Sequence, residues 1–343
     1  MCEEPYAGKP HVRFCEGRKT YLLTLITNFT KSEVNVEFVY STFIMGNMSL
    51  SPIVLFVYNR VEHTKKTIEA LKKNRYAPES ELFIFSDGPK DNEDDRVNVS
   101  NVRKYINSVE GFKKIIIEES LENKGLGTSI IVGTNKIIGK YGKVIVLEDD
   151  IVTSEDFLYY MNKGLDFYEN NEKIYSITGY SFPFEKKDKH KENVYLSLFP
   201  SSWGWGTWQN RWENIDWDVK DWDEFKKSKI QKFLFHLIRP DLFEMLNAKM
   251  NGWNDSWAIR WAYAQFKSRT YSVFPINSYV ENIGIDGTGN SGDTTADNYK
   301  VSLNHELYSI NFIHNLRFNL IFYSRLRAFC KKVWLAWKFT WHT

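Results

Sequence analysis

Between residues 51 and 150 short apolar runs alternate with charged, helix-spaced ones, and this alternation restricts the possible folds more than any other feature of the 343-residue chain. IVLFVYNR reads as a strand and HTKKTIEALKKN as a helix; ELFIFSDG is a strand and DRVNVSNVRKYINSV a helix; KKIIIEES, GTSIIVGTNKIIGK and KVIVLEDD continue the series. Strands linked through helices build βαβ units, which form a parallel sheet covered on both faces. The expectation is an α/β protein with a mostly parallel central sheet. KIYSITGYS and YSVFPINSYVENIG add later strands.

Ligands of such sheets bind beyond the carboxyl ends of the strands. Those ends carry Asn59 and Arg60, then Ser86, Asp87 and Gly88, then Glu122 to Gly127, and finally Glu148, Asp149 and Asp150. The last group is the most telling, because Val144 to Leu147 suit burial and run directly into three carboxylates. Like charges crowded at a strand end raise one another's energy and need an opposite charge nearby. A hard cation such as Mg²⁺ meets that need with one or two carboxylates, substrate phosphates completing its shell. The plainer reading is a solvated strand end before a helix over residues 154 to 170, capped by Thr153 and Asp156.

The balance of 45 basic and 43 acidic residues argues against a nucleic-acid partner. The chain lacks the P-loop pattern, a GxGxxG after the first strand, a GxSxG elbow and metalloprotease histidine spacing. Cys2, Cys15 and Cys330 form no CxxC pair, which fits a reducing, cytoplasmic setting. Residues 1–47 read as an N-terminal extension matching nothing that follows, with Met45 or Met48 as an alternative start. Residues 48–150 then form a ligand-binding half and 151–300 a second half of different composition.

Nine of the twelve tryptophans lie between Trp203 and Trp261. Aromatic faces suit sugar rings, but for a single tryptophan the core is the commoner place. Trp253, Trp257 and Trp261 recur every fourth residue, as on one face of a helix. EKKDKHKE (185–192) reads as a solvated loop, and 284–293, with four glycines, as a mobile loop able to close over a ligand. The tail, 301–343, has no acid after Leu307 but carries Arg317, Arg325, Arg327, Lys331, Lys332 and Lys338 among aromatics. It is predicted to be a helix that either docks a partner or covers the core, or lies peripherally on an anionic membrane, at its inner face.

Asp87-Gly88 opening a loop, Asn123-Lys124-Gly125-Leu126-Gly127 opening a helix, and a strand ending in acids some twenty residues later resemble the nucleotide-sugar half of GT-A glycosyltransferases. EDD followed by DFLYYM, LFPSSWGWGTW and WNDSW is similar to one branch, the inverting, metal-dependent transferases related to the N-acetylglucosaminyltransferase that initiates complex N-glycans, with family 2 like bacterial glycosyltransferases alongside. The resemblance covers roughly residues 51–300. It implies a UDP-sugar donor and a carbohydrate or lipid-linked glycan acceptor. Asp150 would hold Mn²⁺ or Mg²⁺, Glu148 and Asp149 would face ribose and sugar hydroxyls, Arg60 and Asp87 would hold the uracil, and Lys124 would belong to the same donor-binding set. Asp255 of WNDSW matches the catalytic base. An N-cap is the competing role for Asp255, and Glu213, Asp216 and Asp286 are rival bases. The chain departs from the family in two ways: it shows no N-terminal membrane anchor, and its glycine loop has no histidine to act as an extra metal ligand, a place that Asp286 or Asp293 would have to fill.

The activity implied is hexosyl or N-acetylhexosaminyl transfer in cell-surface polysaccharide synthesis. Two other functions compete. A sugar nucleotidyltransferase shares the sheet and the acids but usually holds triphosphate with a glycine-rich loop, whereas VYNRVEH has no glycine. A non-catalytic carbohydrate-binding protein has no need of the acid cluster.

Overall fold

The structure is a computed structural model, and it describes residues 49–185, 192–287, 298–304, 310–314, 316 and 318–340, with side chains to residue 335. The N-terminal extension, most of the charged 185–192 segment, the greater part of the glycine loop and Asp293 lie outside the described residues.

The predicted alternation is present. Strand β1 (Ile53–Val57) leads to helix α1 (Val61–Lys72), β2 (Glu81–Ser86) to α2 (Glu93–Ile106), and β3 (Lys114–Glu119) to α3 (Leu126–Tyr141), followed by β4 (Lys143–Glu148). These strands lie side by side in the order β3-β2-β1-β4, all parallel. All five residues of β1, and Val144 to Leu147 of β4, are buried, as expected for strands covered on both faces.

Beyond β4 the sheet continues with β8 (Trp205–Trp208), β6 (Ile174–Thr178), β9 (Tyr271–Pro275) and β7 (Val194–Ser197). Strands β8 and β7 run against their neighbours, so six of the eight strands point one way and two oppose them. A second, two-stranded sheet pairs β5 (Ile151–Thr153) with β10 (Val280–Asn282), antiparallel. The segment YSVFPINSYVENIG thus supplies two strands, β9 and β10, where one was expected, because Ile276 to Tyr279 turn the chain from one sheet to the other.

The proposed capping box does not form. Thr153 belongs to β5, and its hydroxyl accepts from Asn74 Nδ2 at 2.9 Å. Helix α4 (Phe157–Tyr168) starts later, and Asp156 pairs with Arg75 at 3.0 Å instead of capping through its side chain.

The tryptophan-rich region builds core. Four short helices, α5 (Gln209–Trp212), α6 (Trp222–Lys227), α7 (Lys229–Ile238) and α8 (Leu242–Met250), precede α9 (Trp257–Ser268). Trp205, Trp212, Trp257 and Trp261 are buried together, with Trp205 and Trp261 centroids 4.5 Å apart and Trp205 and Trp212 stacked at 5.2 Å. The four-residue repeat is only partly helical, since α9 begins at Trp257 and Trp253 stands in the preceding turn, 75% exposed.

The tail forms α10 (Leu320–Thr340). Phe322, Tyr323, Leu326, Cys330 and Val333 line its buried side, with Phe322 4.5 Å from the Tyr195 ring and Tyr323 donating to the Ile238 carbonyl at 2.5 Å. Among the described residues no helix is long and apolar enough to cross a membrane.

These environments make opposite demands on two tryptophans. Trp205→Ala should lower unfolding free energy by about 3–5 kcal/mol, the usual cost of emptying a large core site. Trp253→Ala should stay within about 0.5 kcal/mol of wild type. Denaturant midpoints at constant m-value measure both, and equal losses would contradict the assignment of Trp205 to the core.

Candidate active site

The parallel order of β2, β1 and β4 brings their carboxyl ends to one edge. In register, Phe56 of β1 lies beside Glu148 of β4, and Val57 lies beside Ser86 of β2. The residues that follow each strand therefore meet, although ninety positions separate Arg60 from Asp150.

Arg60 closes β1 onto the acid cluster. Its Nη2 donates to Asp149 Oδ1 at 2.6 Å and to Asp150 Oδ2 at 2.7 Å. Asp149 is buried, and Glu148 and Asp150 are partly buried. Burial pushes the Asp149 carboxyl up to about 6; Arg60 opposes that rise and Asp150 adds to it. Glu148 is also raised well above its ordinary value, first by burial and then by the charges of Asp150 and Asp149. For Arg60, burial works against the charge, but the two aspartates outweigh it and hold the guanidinium above its ordinary value. Burial, more than any neighbouring charge, thus keeps Glu148 and Asp149 raised with Arg60 in place.

Asp87, at the end of β2, is anchored by backbone. Its Oδ1 accepts from the N–H groups of Gly88 and Lys124, and its Oδ2 from Gly125, each at 2.9 Å. The NKGLG turn is thereby fixed to the β2 exit, and Asn123 Nδ2 adds a bond to the Gly88 carbonyl at 2.8 Å. Gly88 is required for this approach, because a β-carbon there would lie 2.4 Å from the Glu122 backbone.

Asp255 reaches the same edge from the second half of the chain. A β-carbon on Gly125 would lie 3.6 Å from Asp255 Oδ2, and one on Gly127 would lie 3.4 Å from Trp257 Cβ. The start of α9 therefore packs on the first turn of α3. Lys249 binds Asp255 Oδ1 at 2.5 Å, the carboxylate is largely exposed, and no side-chain cap is made at the start of α9. The rival bases sit otherwise: Glu213 accepts from Gln209 at 2.5 Å, and Asp216 accepts the N–H groups of Asp218 and Lys220 in its own turn. Asp286 meets His63 Nε2 at 3.1 Å, joining the start of the glycine loop to the first turn of α1.

Several members of this site were missed in the sequence. Asp95, on α2, accepts from Tyr58 and from Asn59 Nδ2 and Lys90 N at 2.6 Å, and so holds the β1 exit. Arg103 donates to Ser86 Oγ, Asp87 O and Ser120 O at 3.2, 3.2 and 2.6 Å, bracing the exits of β2 and β3. Gly284 touches Asp150 so closely that a β-carbon would lie 2.0 Å from Oδ2. Asp95 and Arg103 look like ordinary helix charges, eight residues apart; only the two-turn spacing with one apolar face, Val99 and Val102 between them, hinted that both point toward the sheet.

Among the described residues no three metal-binding side chains converge on one point. Two carboxylate oxygens, from Asp149 and Asp150, already converge on a single cationic nitrogen, and that donor pair suits a hard cation whose remaining ligands come from phosphate.

The Asp149 shift gives a pH test. A carboxyl raised in the folded state adds stability below its unfolded value, near 4, and loses it as pH rises through about 6. Between pH 4 and 7 the wild type should therefore lose stability relative to Asp149→Asn by on the order of 2 kcal/mol. Parallel chemical denaturation series read the difference, and a flat difference would show that Asp149 ionises freely.

The GNT-I family model matches residues 25–256. The chain is 20% identical over 217 residues to the Arabidopsis thaliana alpha-1,3-mannosyl-glycoprotein 2-beta-N-acetylglucosaminyltransferase, covering 60% of this chain and 49% of that protein. It thus spans about half the length of this relative. Two solved structures of S. aureus TarS align at 12% identity: TarS 1-349 with a TM-score of 0.37, over 67% of this chain and 59% of that one, and TarS with a TM-score of 0.39, over 69% and 37%. With the family model matching well over half of its residues, the chain belongs to the GNT-I family.

Proposed function

We propose that this chain is an inverting glycosyltransferase that moves a hexosyl or N-acetylhexosaminyl unit from a UDP-sugar to a hydroxyl of a glycan or lipid-linked glycan, in cell-surface polysaccharide synthesis. The observation that supports the reading best is the meeting of three elements at one sheet edge: the Asp87 seat on Lys124 and Gly125, the Arg60–Asp149–Asp150 cluster, and Asp255 beside Gly125.

In this reading the nucleotide lies over the ends of β1 and β2, with Arg60, Asp87 and Lys124 against it and Glu148 and Asp149 toward the sugars. Asp150, with Asp149 beside it, would hold a divalent cation, Mn²⁺ or Mg²⁺, which when bound would supply Lewis-acid stabilisation of negative charge on the diphosphate. Asp255 accepts the proton of the attacking hydroxyl, which bonds to the anomeric carbon as the carbon–oxygen bond to phosphate breaks. One displacement inverts that carbon and needs a single base. Lys249 takes Oδ1 of Asp255 and leaves Oδ2 on the side of Gly125, where the donor would lie. The basic tail is the part of this reading that favours work at an anionic membrane surface.

Asp255→Asn should keep the UDP-induced thermal shift seen with Mn²⁺ while transfer falls by about a hundredfold or more. Asp150→Ala should lose the Mn²⁺-dependent part of the shift. Unimpaired transfer by Asp255→Asn would remove the base assignment.

A further inference from the structure

Helix α7 faces its apolar side outward. Phe235 and Ile238 are buried, Phe235 against Phe225, Tyr263 and Phe266, with the Phe235 and Phe266 centroids 5.0 Å apart. Ile230, Phe233, Leu234 and Leu237 occupy the opposite face at helical spacing, and all are exposed, Ile230 at 74% and Phe233 at 61%. The first turn of α10 adds Leu320 at 74% and Ile321 at 63%, and the Tyr323 hydroxyl ties that turn to the end of α7 through the Ile238 carbonyl. Half of the twelve large apolar side chains exposed among the described residues thus lie on α7 and the start of α10.

The segments that carry this surface are basic, with acids only at their borders: Asp221, Asp223 and Glu224 before them and Asp241 and Glu244 after α7. Residues 226–240 hold Lys226, Lys227, Lys229, Lys232 and Arg239 without an acid, and residues 307–343 hold no acid either. Arg239 is engaged by Asp241, and Lys226 by Asp223 at 2.5 Å, whereas Lys227 and Lys229 are exposed, as are Lys331 and Lys332 on α10. A protruding apolar stripe flanked by lysines is the composition of a helix lying in the headgroup layer of an anionic bilayer. A second copy of the chain fits poorly, because a two-fold interface would bring both sets of lysines together.

We infer that the outward face of α7, with Leu320 and Ile321, is a docking surface for anionic lipid membrane, inserting shallowly rather than spanning. The nine residues of α8, about 13 Å along the axis, separate it from the turn that bears Trp253 and leads to Asp255. This places the site close to substrates embedded in the same membrane. That last consequence rests on the glycosyltransferase reading; the docking surface does not.

Sedimentation of the full chain with lipid vesicles tests it. Wild type should pellet with phosphatidylcholine–phosphatidylglycerol vesicles and about tenfold less with phosphatidylcholine alone, the difference shrinking at high salt. Phe233→Ser/Leu237→Ser should reduce pelleting by about tenfold or more with an unchanged melting temperature, since both side chains are exposed. Lys227→Gln/Lys229→Gln should weaken binding to the anionic vesicles only. Turnover of UDP-sugar with a water-soluble acceptor should be the same in wild type and the Phe233/Leu237 variant, so absence of turnover in both would count against the enzyme reading and leave the vesicle result standing. Equal pelleting of wild type and the serine variant, no pelleting of either, or a wild-type dimer that the serine variant dissociates would overturn the inference.

Discussion

The charge balance at the end of β4 is the constraint on which the site depends. Three consecutive carboxylates leave a buried strand, and the positive group that meets them comes from the adjacent parallel strand, four residues beyond the register partner of Glu148. Arg60 can reach Asp149 and Asp150 only because β1 and β4 are neighbours running in the same direction. The sheet order and the electrostatics are one arrangement. An ion pair of this kind adds little net stability, since desolvation offsets most of the attraction. Burial and the crowding of the acids keep Glu148 and Asp149 raised even beside Arg60, the kind of perturbation that clusters at functional sites.

Rigidity around that cluster comes from polar groups anchored mostly on backbone. Asp87 spends both oxygens on three N–H groups, Arg103 gathers Ser86, Asp87 and Ser120 from behind, and Asp95 collects Tyr58, Asn59 and Lys90. The β2 exit is held by more than three bonds, and Asp95 ties the β1 exit to the loop that follows it, which fixes a site more tightly than free loops could. The closing contacts are steric. Gly284 lies against Asp150, and any side chain there would push the carboxylate away. His63 holds Asp286 at the beginning of the same loop, so this segment is tied to the first turn of α1, 223 residues away in sequence.

The first half of this architecture was legible because it is periodic. Buried β-branched runs and amphipathic helices identify β1 to β4, and the strand-end rule then gathers Arg60, Asp87 and Glu148–Asp150. The second half was not, because its signal is composition without period. Tryptophan-rich WGTW became β8, an antiparallel strand set between β4 and β6, and nothing in those four residues specifies direction. Trp253, Trp257 and Trp261 shared a helical spacing, yet the helix starts at Trp257, so sequence interval alone does not distinguish a face from a turn. Thr153 and Asp156 had capping chemistry, but β10 paired with Thr153 and Arg75 took Asp156: tertiary partners won over a local bond. Asp95 and Arg103 gave only the faint sign of their spacing beside Val99 and Val102, because charged residues on an amphipathic helix ordinarily face water.

The orientation of α7 exposes the same limit from the other side. Its apolar residues fall on two faces, and the sequence does not say which one the core accepts. The structure resolves this through aromatic packing: Phe225 of α6 and Tyr263 and Phe266 of α9 receive Phe235, leaving Phe233 and Leu237 outside. That aromatic cluster also fixes α9, whose first turn packs on α3 two residues after Asp255. The helix that presents apolar surface to its surroundings and the helix that follows the candidate base are therefore held by one set of rings. A loss of packing among Phe225, Phe235 and Phe266 would disturb both together. An activity defect caused that way would follow the melting temperature, whereas a change confined to Phe233 or Leu237 would leave both ring packing and α9 undisturbed.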